Sequence, residues 1–184
     1  FRMTVEEEPA DGESWAIRDL YLAHLALSDI DGHKFYRTER LNRSGPGLAG
    51  ADFGQGRIWN GNWQVLWAAP KDPLGRQHLR ATSDDFALDL EIKPRKPAVI
   101  HGPDGVSRKS AEPGHASHYI SFTRLAVSGK VRVGEETHSV NGFAWMDHEF
   151  FSVGLAADQV GWDWMSIQLE NNTELMLYRL RRRD

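Results

Sequence analysis

The chain has 184 residues, 40% of them apolar and 26% charged, which is the balance of one ordinary globular domain rather than of a disordered segment. Its net charge of −4 offers no broad electrostatic attraction for nucleic acid, and no run approaches the roughly 18 apolar residues that a spanning helix needs. With no cysteine present, disulfides, thiolate metal sites and cysteine nucleophiles are excluded, while the compartment stays open.

Taken in chain order, the sequence starts at Phe1 with neither an initiator methionine nor a signal-peptide pattern, and residues 1–184 are expected to form a single domain excised from a longer protein. Residues 20–28 and 34–41 flank Asp29-Ile30-Asp31-Gly32 and read as a hairpin. Residues 16–27 compete as a helix, but their apolar positions are too evenly spread to make one stripe, so a strand is expected. Residues 43–56 read as a long loop. Gly45-Pro46-Gly47-Leu48-Ala49-Gly50 inside it matches a dinucleotide fingerprint, yet Gly54 and Gly56 follow at once and no helix is expected to begin. A compact strand is expected over 63–69. Phe86, Leu88, Leu90 and Ile92 then alternate with Ala87, Asp89, Glu91 and Lys93, as in a half-buried strand that stops before Pro94.

Residues 94–114, with four prolines and three glycines, read as a second long loop. Further strands are expected over 119–127, 130–133, 138–145, 162–169 and 175–180, the first two divided at Ser128-Gly129. Arg179, Arg181, Arg182 and Arg183 are read as a solvated strand end. Short spacings favour antiparallel meanders, since parallel crossovers need a dozen or more residues. About ten strands and almost no helix imply an all-β, antiparallel barrel or two-sheet sandwich.

Several local patterns point nowhere. His148-Glu149 begins like a zinc-protease motif, but Ser152 stands where the second histidine belongs. His115 and His118 could join Asp147 and His148 around a metal, although hydrogen-bonded histidines are commoner. Neither a cofactor nor a metal is expected. The unusual stretch is Asn141–Phe150, where Trp145, Asp147 and Glu149 share one face of a regular strand while Met146 and His148 point the other way. Polar groups of this kind cost desolvation unless they are paired or used. They fit either a carboxyl tuned for proton transfer or a network in which Asp147 and Glu149 pair with arginines such as Arg124. Trp162 and Trp164 share one face of the following strand, either as packed core or as the wall of an apolar cavity.

Five ordered motifs carry a resemblance. They are Tyr21-Leu22-Ala23-His24, Gly47-Leu48-Ala49-Gly50-Ala51, Ala116-Ser117-His118-Tyr119-Ile120-Ser121, Gly142-Phe143-Ala144-Trp145-Met146-Asp147-His148-Glu149-Phe150 and Gly161-Trp162-Asp163-Trp164. In this order they resemble the AttH and carotenoid 1,2-hydratase family nearly end to end. The family's opening Glu-Trp-Trp-Tyr motif is absent, so a strand is expected to be missing. The resemblance implies a lipocalin-like β domain, the first of two in tandem, so that a second such domain of the same chain is an expected partner. It implies chemistry on a lipophilic small molecule, as in the hydratase branch that adds water across an isoprenoid double bond, and it suggests export to the periplasm. It places the proton donor on Asp147 and a supporting histidine on His118. Trp145 stands where the hydratases carry Tyr, and Ile120 where an aromatic is expected, so the AttH-like branch is the closer match. The candidate catalytic residues are therefore Asp147, His118 and Glu149, with Trp145, Trp162, Trp164, Tyr119 and His148 around a substrate. A carrier without chemistry, or a structural half of an inter-domain site, would use the same residues differently.

Overall fold

The computed structural model describes residues 2–4, 18–70, 72 and 74–183. The possible helical start at residues 16 and 17 lies outside them. Among the described residues the chain is antiparallel β with a single short helical turn, the fold class read from the sequence and one consistent with a lipocalin-like domain. No helix is long and apolar enough to cross a membrane. Contacts group the chain into two compact units, Phe1–Lys93 with Val127–Asn141, and Pro94–Ala126 with Gly142–Asp184.

In the first unit, β1 (Arg2–Thr4) pairs with β2 (Asp19–Asp29), and β2 pairs with β3 (Lys34–Arg43) around the expected hairpin turn. A meander follows: β4 (Ala49–Asp52), β5 (Arg57–Asn60), β6 (Trp63–Trp67), β7 (Gln77–Thr82) and β8 (Phe86–Pro94) pair in sequence order. Tyr21, Trp63, Ala81, Phe86 and Ile92 are buried, with Phe86 only 1% exposed. Along β8 the anticipated alternation holds, with Asp89, Glu91 and Lys93 outward, although the strand runs on through Pro94. Asn60, buried on β5, donates its amide to the Tyr21 carbonyl at 2.9 Å and accepts from Asn42 at 2.6 Å, which satisfies a polar group that would otherwise be costly to bury.

The loop expected over 43–56 is a misreading, because it contains β4. Ala49 and Gly50 are buried there, directly opposite Asn60 and Trp59. Any Cβ at Gly50 would lie 2.5 Å from the Trp59 ring, so the glycine that looked like loop is what lets an indole lie across the strand. β5 and β7 went unrecognised because their residues are mixed polar and aromatic without clean alternation. On the outer face of the meander, Asp89 hydrogen-bonds His78 and meets Arg80 at 3.2 Å. The His78 bond, set against slight burial and helped by Arg80, holds the Asp89 carboxyl below its usual range. That stabilisation is present above the unfolded carboxylate value and is lost as pH falls through the lowered folded one. The pair is half exposed, so Asp89→Asn is expected to cost no more than about 1 kcal/mol in urea unfolding at pH 7, and the difference from wild type should shrink in acid.

The second unit holds β9 (Val99–Ile100), a turn at Pro103–Gly105, β10 (Val106–Arg108), β11 (Ala116–Val133), β12 (Glu136–Phe150), β13 (Gln159–Gln168) and β14 (Glu174–Arg182), with the last part of β11 and the first part of β12 belonging to the first unit. The loop expected over 94–114 thus carries two short strands, both paired with β11. The expected break at Ser128-Gly129 is absent and β11 runs straight through it. At Gly129 a Cβ would sit 2.1 Å from the Asp89 carbonyl oxygen, so the glycine marks close backbone approach rather than a turn.

Candidate functional site

Strand periodicity decides which groups meet. On β11 the odd-numbered residues Ser117, Tyr119, Ser121 and Thr123 are all buried, and Tyr119 is 4% exposed. They face the odd-numbered residues of β12. Tyr119 donates its phenol hydrogen to Asp147 Oδ2 at 2.7 Å, Ser121 donates its hydroxyl to Asp147 Oδ1 at 2.6 Å, and the Trp145 indole N–H donates to the same oxygen at 2.7 Å. Behind them, Trp164 on β13 donates to the Tyr119 oxygen at 3.0 Å, and His101 Nε2 lies 2.8 Å from Ser121 Oγ. Asp147 itself stays exposed at the end of these chains. Charge-assisted bonds of this length are stronger than neutral ones and fix the carboxylate in one orientation.

Glu149, one step further along the same face, accepts from Ser117 at 2.6 Å and pairs with Lys109 at 2.7 Å. The Lys109 ammonium also stands 5.0 Å from the ring centres of Tyr119 and Tyr178, a cation held by two aromatic faces. Burial pushes the Tyr119 phenol well above the ordinary tyrosine value, and its bond to Asp147 adds to this while the Trp164 donor opposes it. Tyr119 therefore remains a hydrogen-bond donor throughout the neutral range. An alkaline absorbance titration is expected to show one phenol ionising late, and Tyr119→Phe should remove that component.

The even-numbered face is a different surface. His118 is exposed, with its Nδ1 3.1 Å from the Gly105 carbonyl and its ring 5.5 Å from Phe150, and His148 packs edge-on against the same Phe150 at 5.2 Å. Of the sequence candidates, Asp147, Tyr119, Trp145 and Trp164 come together, with Glu149 beside them. His118 and His148 stand on the opposite side of the strands. Trp162, 60% exposed, shares its face of β13 with Trp164. Arg124 does not serve Asp147 or Glu149; it bonds Glu174 at 2.6 Å and the Leu169 carbonyl at 2.8 Å. Among the described residues no group of three His, Asp or Glu side chains is placed to hold a metal. His115 bonds the Gly154 carbonyl at 3.2 Å.

Ser117, Ser121, His101 and Lys109 are the participants that the sequence reading missed. Ser117 and Ser121 could have been found by applying the same alternation to β11 that singled out β12. Nothing comparable marks His101 or Lys109, which sit in a stretch that reads as loop.

A family model described as AttH-like matches residues 1–184. No curated protein matches. Among solved structures, one described as an AttH from Nitrosomonas europaea is 30% identical and superposes with a TM-score of 0.80, over 92% of this chain and 52% of that one. Kievitone hydratase from Nectria haematococca, 14% identical with a TM-score of 0.63, shares the fold over 89% of this chain and 52% of its own. The chain thus spans about half the length of these solved relatives.

Proposed function

This chain belongs to the AttH-like family, and from that premise we propose that it is the lipophile-binding, lipocalin-like domain of a two-domain hydratase- or hydrolase-like protein acting on an apolar, isoprenoid-like substrate by acid catalysis. The observation that carries the reading is a solvent-reachable carboxyl, Asp147, oriented by three donors and flanked by the indoles of Trp145 and Trp164, whose rings meet edge to face at 6.2 Å. Aromatic faces stabilise an adjacent cation, which is what protonation of an alkene creates. In the proposed step the Asp147 O–H bond breaks as a C–H bond forms on the alkene. Water then closes a C–O bond on the cation and releases a proton to solvent. In this reading Trp162 extends the apolar wall, and Glu149 directs the water.

The three bonds to Asp147 also favour a second reading, a carrier in which the carboxylate only closes the polar network beside a bound lipophile. Incubating the full-length protein with unsaturated isoprenoid alcohols and polyenes in oxygen-18 water separates the two. A product carrying one solvent oxygen supports catalysis; ligand bound and recovered unchanged supports the carrier.

A further inference from the structure

We infer that Tyr119 is a positioning residue that makes Oδ2 the oxygen through which Asp147 delivers its proton, an inference that rests on the acid chemistry proposed above.

A carboxylate offers about four lone-pair sites, two on each oxygen. On Asp147 both sites of Oδ1 are taken, by the Ser121 hydroxyl at 2.6 Å and the Trp145 indole N–H at 2.7 Å. Oδ2 receives only the Tyr119 phenol, at 2.7 Å, and among the described residues nothing takes its remaining site. The proton therefore belongs on that open site. Oδ1 then serves as the carbonyl oxygen of the acid and keeps both its bonds, while the O–H on Oδ2 is clear of all three donors. Both protonation states use the same donors, so no hydrogen bond has to reverse during a turnover.

Tyr119 is held for this task from several sides. It is 4% exposed, its ring lies 4.5 Å from the ring of His101, and its oxygen accepts from Trp164 at 3.0 Å. Burial and the bond to Asp147 make the phenol keep its hydrogen. While Oδ2 carries a proton it is a neutral hydroxyl oxygen and a weak acceptor. As the Oδ2–H bond breaks and the alkene C–H bond forms, the electron pair stays on Oδ2, and the phenol bond becomes charge-assisted. A bond that is stronger in the transition state than before it accelerates the step. Water then adds to the cation and releases its own proton to solvent. Oδ2 takes a proton from solvent at the same open site, and the cycle closes with one alkene and one water consumed.

The first test needs no substrate. Coupling runs both ways, so a phenol that steadies the charge on Asp147 must itself be held in its protonated form by that charge. In the full-length protein, with Tyr119 replaced by 3-fluorotyrosine, the phenol is titrated in alkali by fluorine-19 NMR, once with Asp147 present and once with Asp147→Asn. The other charged or titratable groups around it, Glu149, Lys109, His101 and Tyr178, are the same in both proteins. Ionisation is expected at distinctly lower pH in Asp147→Asn, and an unchanged titration would overturn the inference.

The second test uses whichever isoprenoid alcohol or polyene takes up solvent oxygen. Tyr119→Phe, its fold checked by circular dichroism, is expected to lower the kcat plateau at low pH about 10–100-fold, the worth of one hydrogen bond to a charged group, with KM little changed. Losing a donor that favours the charged form also keeps the proton on Asp147 to higher pH, so the falling limb of the kcat profile should move upward in pH. The 3-fluorotyrosine protein, with a stronger donor, should move plateau and limb the opposite way. A merely structural role for the ring produces no such paired movement, and should Tyr119→Phe fail to fold, the fluorotyrosine comparison still decides. Full plateau turnover in Tyr119→Phe beside a dead Asp147→Asn would sink this inference and leave the acid reading standing. Full turnover in Asp147→Asn would sink the acid reading itself, whatever the phenol shows.

Discussion

Asp147→Asn is expected to lower kcat on a confirmed substrate by about 10²–10⁴-fold, the usual contribution of a positioned acid, while KM changes little. The amide has the same shape as the carboxyl. Its oxygen can still accept from Trp145 and Ser121, which both address Oδ1, so the strands that carry the site have no reason to separate. What is lost is the exchangeable proton, together with the bond that Tyr119 donates to Oδ2, which an amide nitrogen cannot accept. Steady-state kinetics alongside circular dichroism would show a folded protein with intact binding and depressed turnover. A carrier would behave differently: binding would persist in both proteins and there would be no turnover to lose.

Glu174→Gln is expected to destabilise the protein by about 3 kcal/mol, at the low end for breaking a buried ion pair because the amide oxygen can still accept a bond. The Glu174 and Arg124 side chains are 7% and 9% exposed and meet at 2.6 Å, with Lys96 on the other carboxylate oxygen at 2.6 Å. Removing the charge leaves the Arg124 guanidinium buried with neutral company: the amide oxygen, the Leu169 carbonyl and the Phe143 ring, 5.2 Å away. Burial pushes the Glu174 carboxyl up, but the bonds and charges of Lys96 and Arg124 outweigh it, and the group ends below its ordinary value. Its stabilisation is therefore complete above the unfolded carboxylate value and disappears as pH falls through the lowered folded one. Urea unfolding at neutral and acid pH should show the variant's deficit at the first and a much smaller one at the second.

The parts of the fold legible in the sequence were those where period two is unbroken. The Phe86–Ile92 alternation and the turn after Asp29 each declare themselves locally. Gly50 and Gly129 were misread because a glycine needed for close approach looks the same as one needed for a turn, and only the partner, Trp59 or the β8 backbone, distinguishes them. At the site, alternation rightly put Trp145, Asp147 and Glu149 on one face. The same rule, applied to β11, separates His118 from Tyr119, which is why the histidine implied by resemblance faces Phe150 while its neighbour bonds Asp147. His101 and Lys109 reach the cluster through short strands and turns paired with β11, a tertiary arrangement that no local pattern announces.

The most direct test of the central claim is native mass spectrometry of the full-length protein, purified gently from its source and then offered lipid extracts. A bound apolar molecule is expected, one that Asp147→Asn retains and that Trp162→Ala together with Trp164→Ala releases. A protein that stays empty, or one whose ligand is indifferent to both tryptophans, would contradict it.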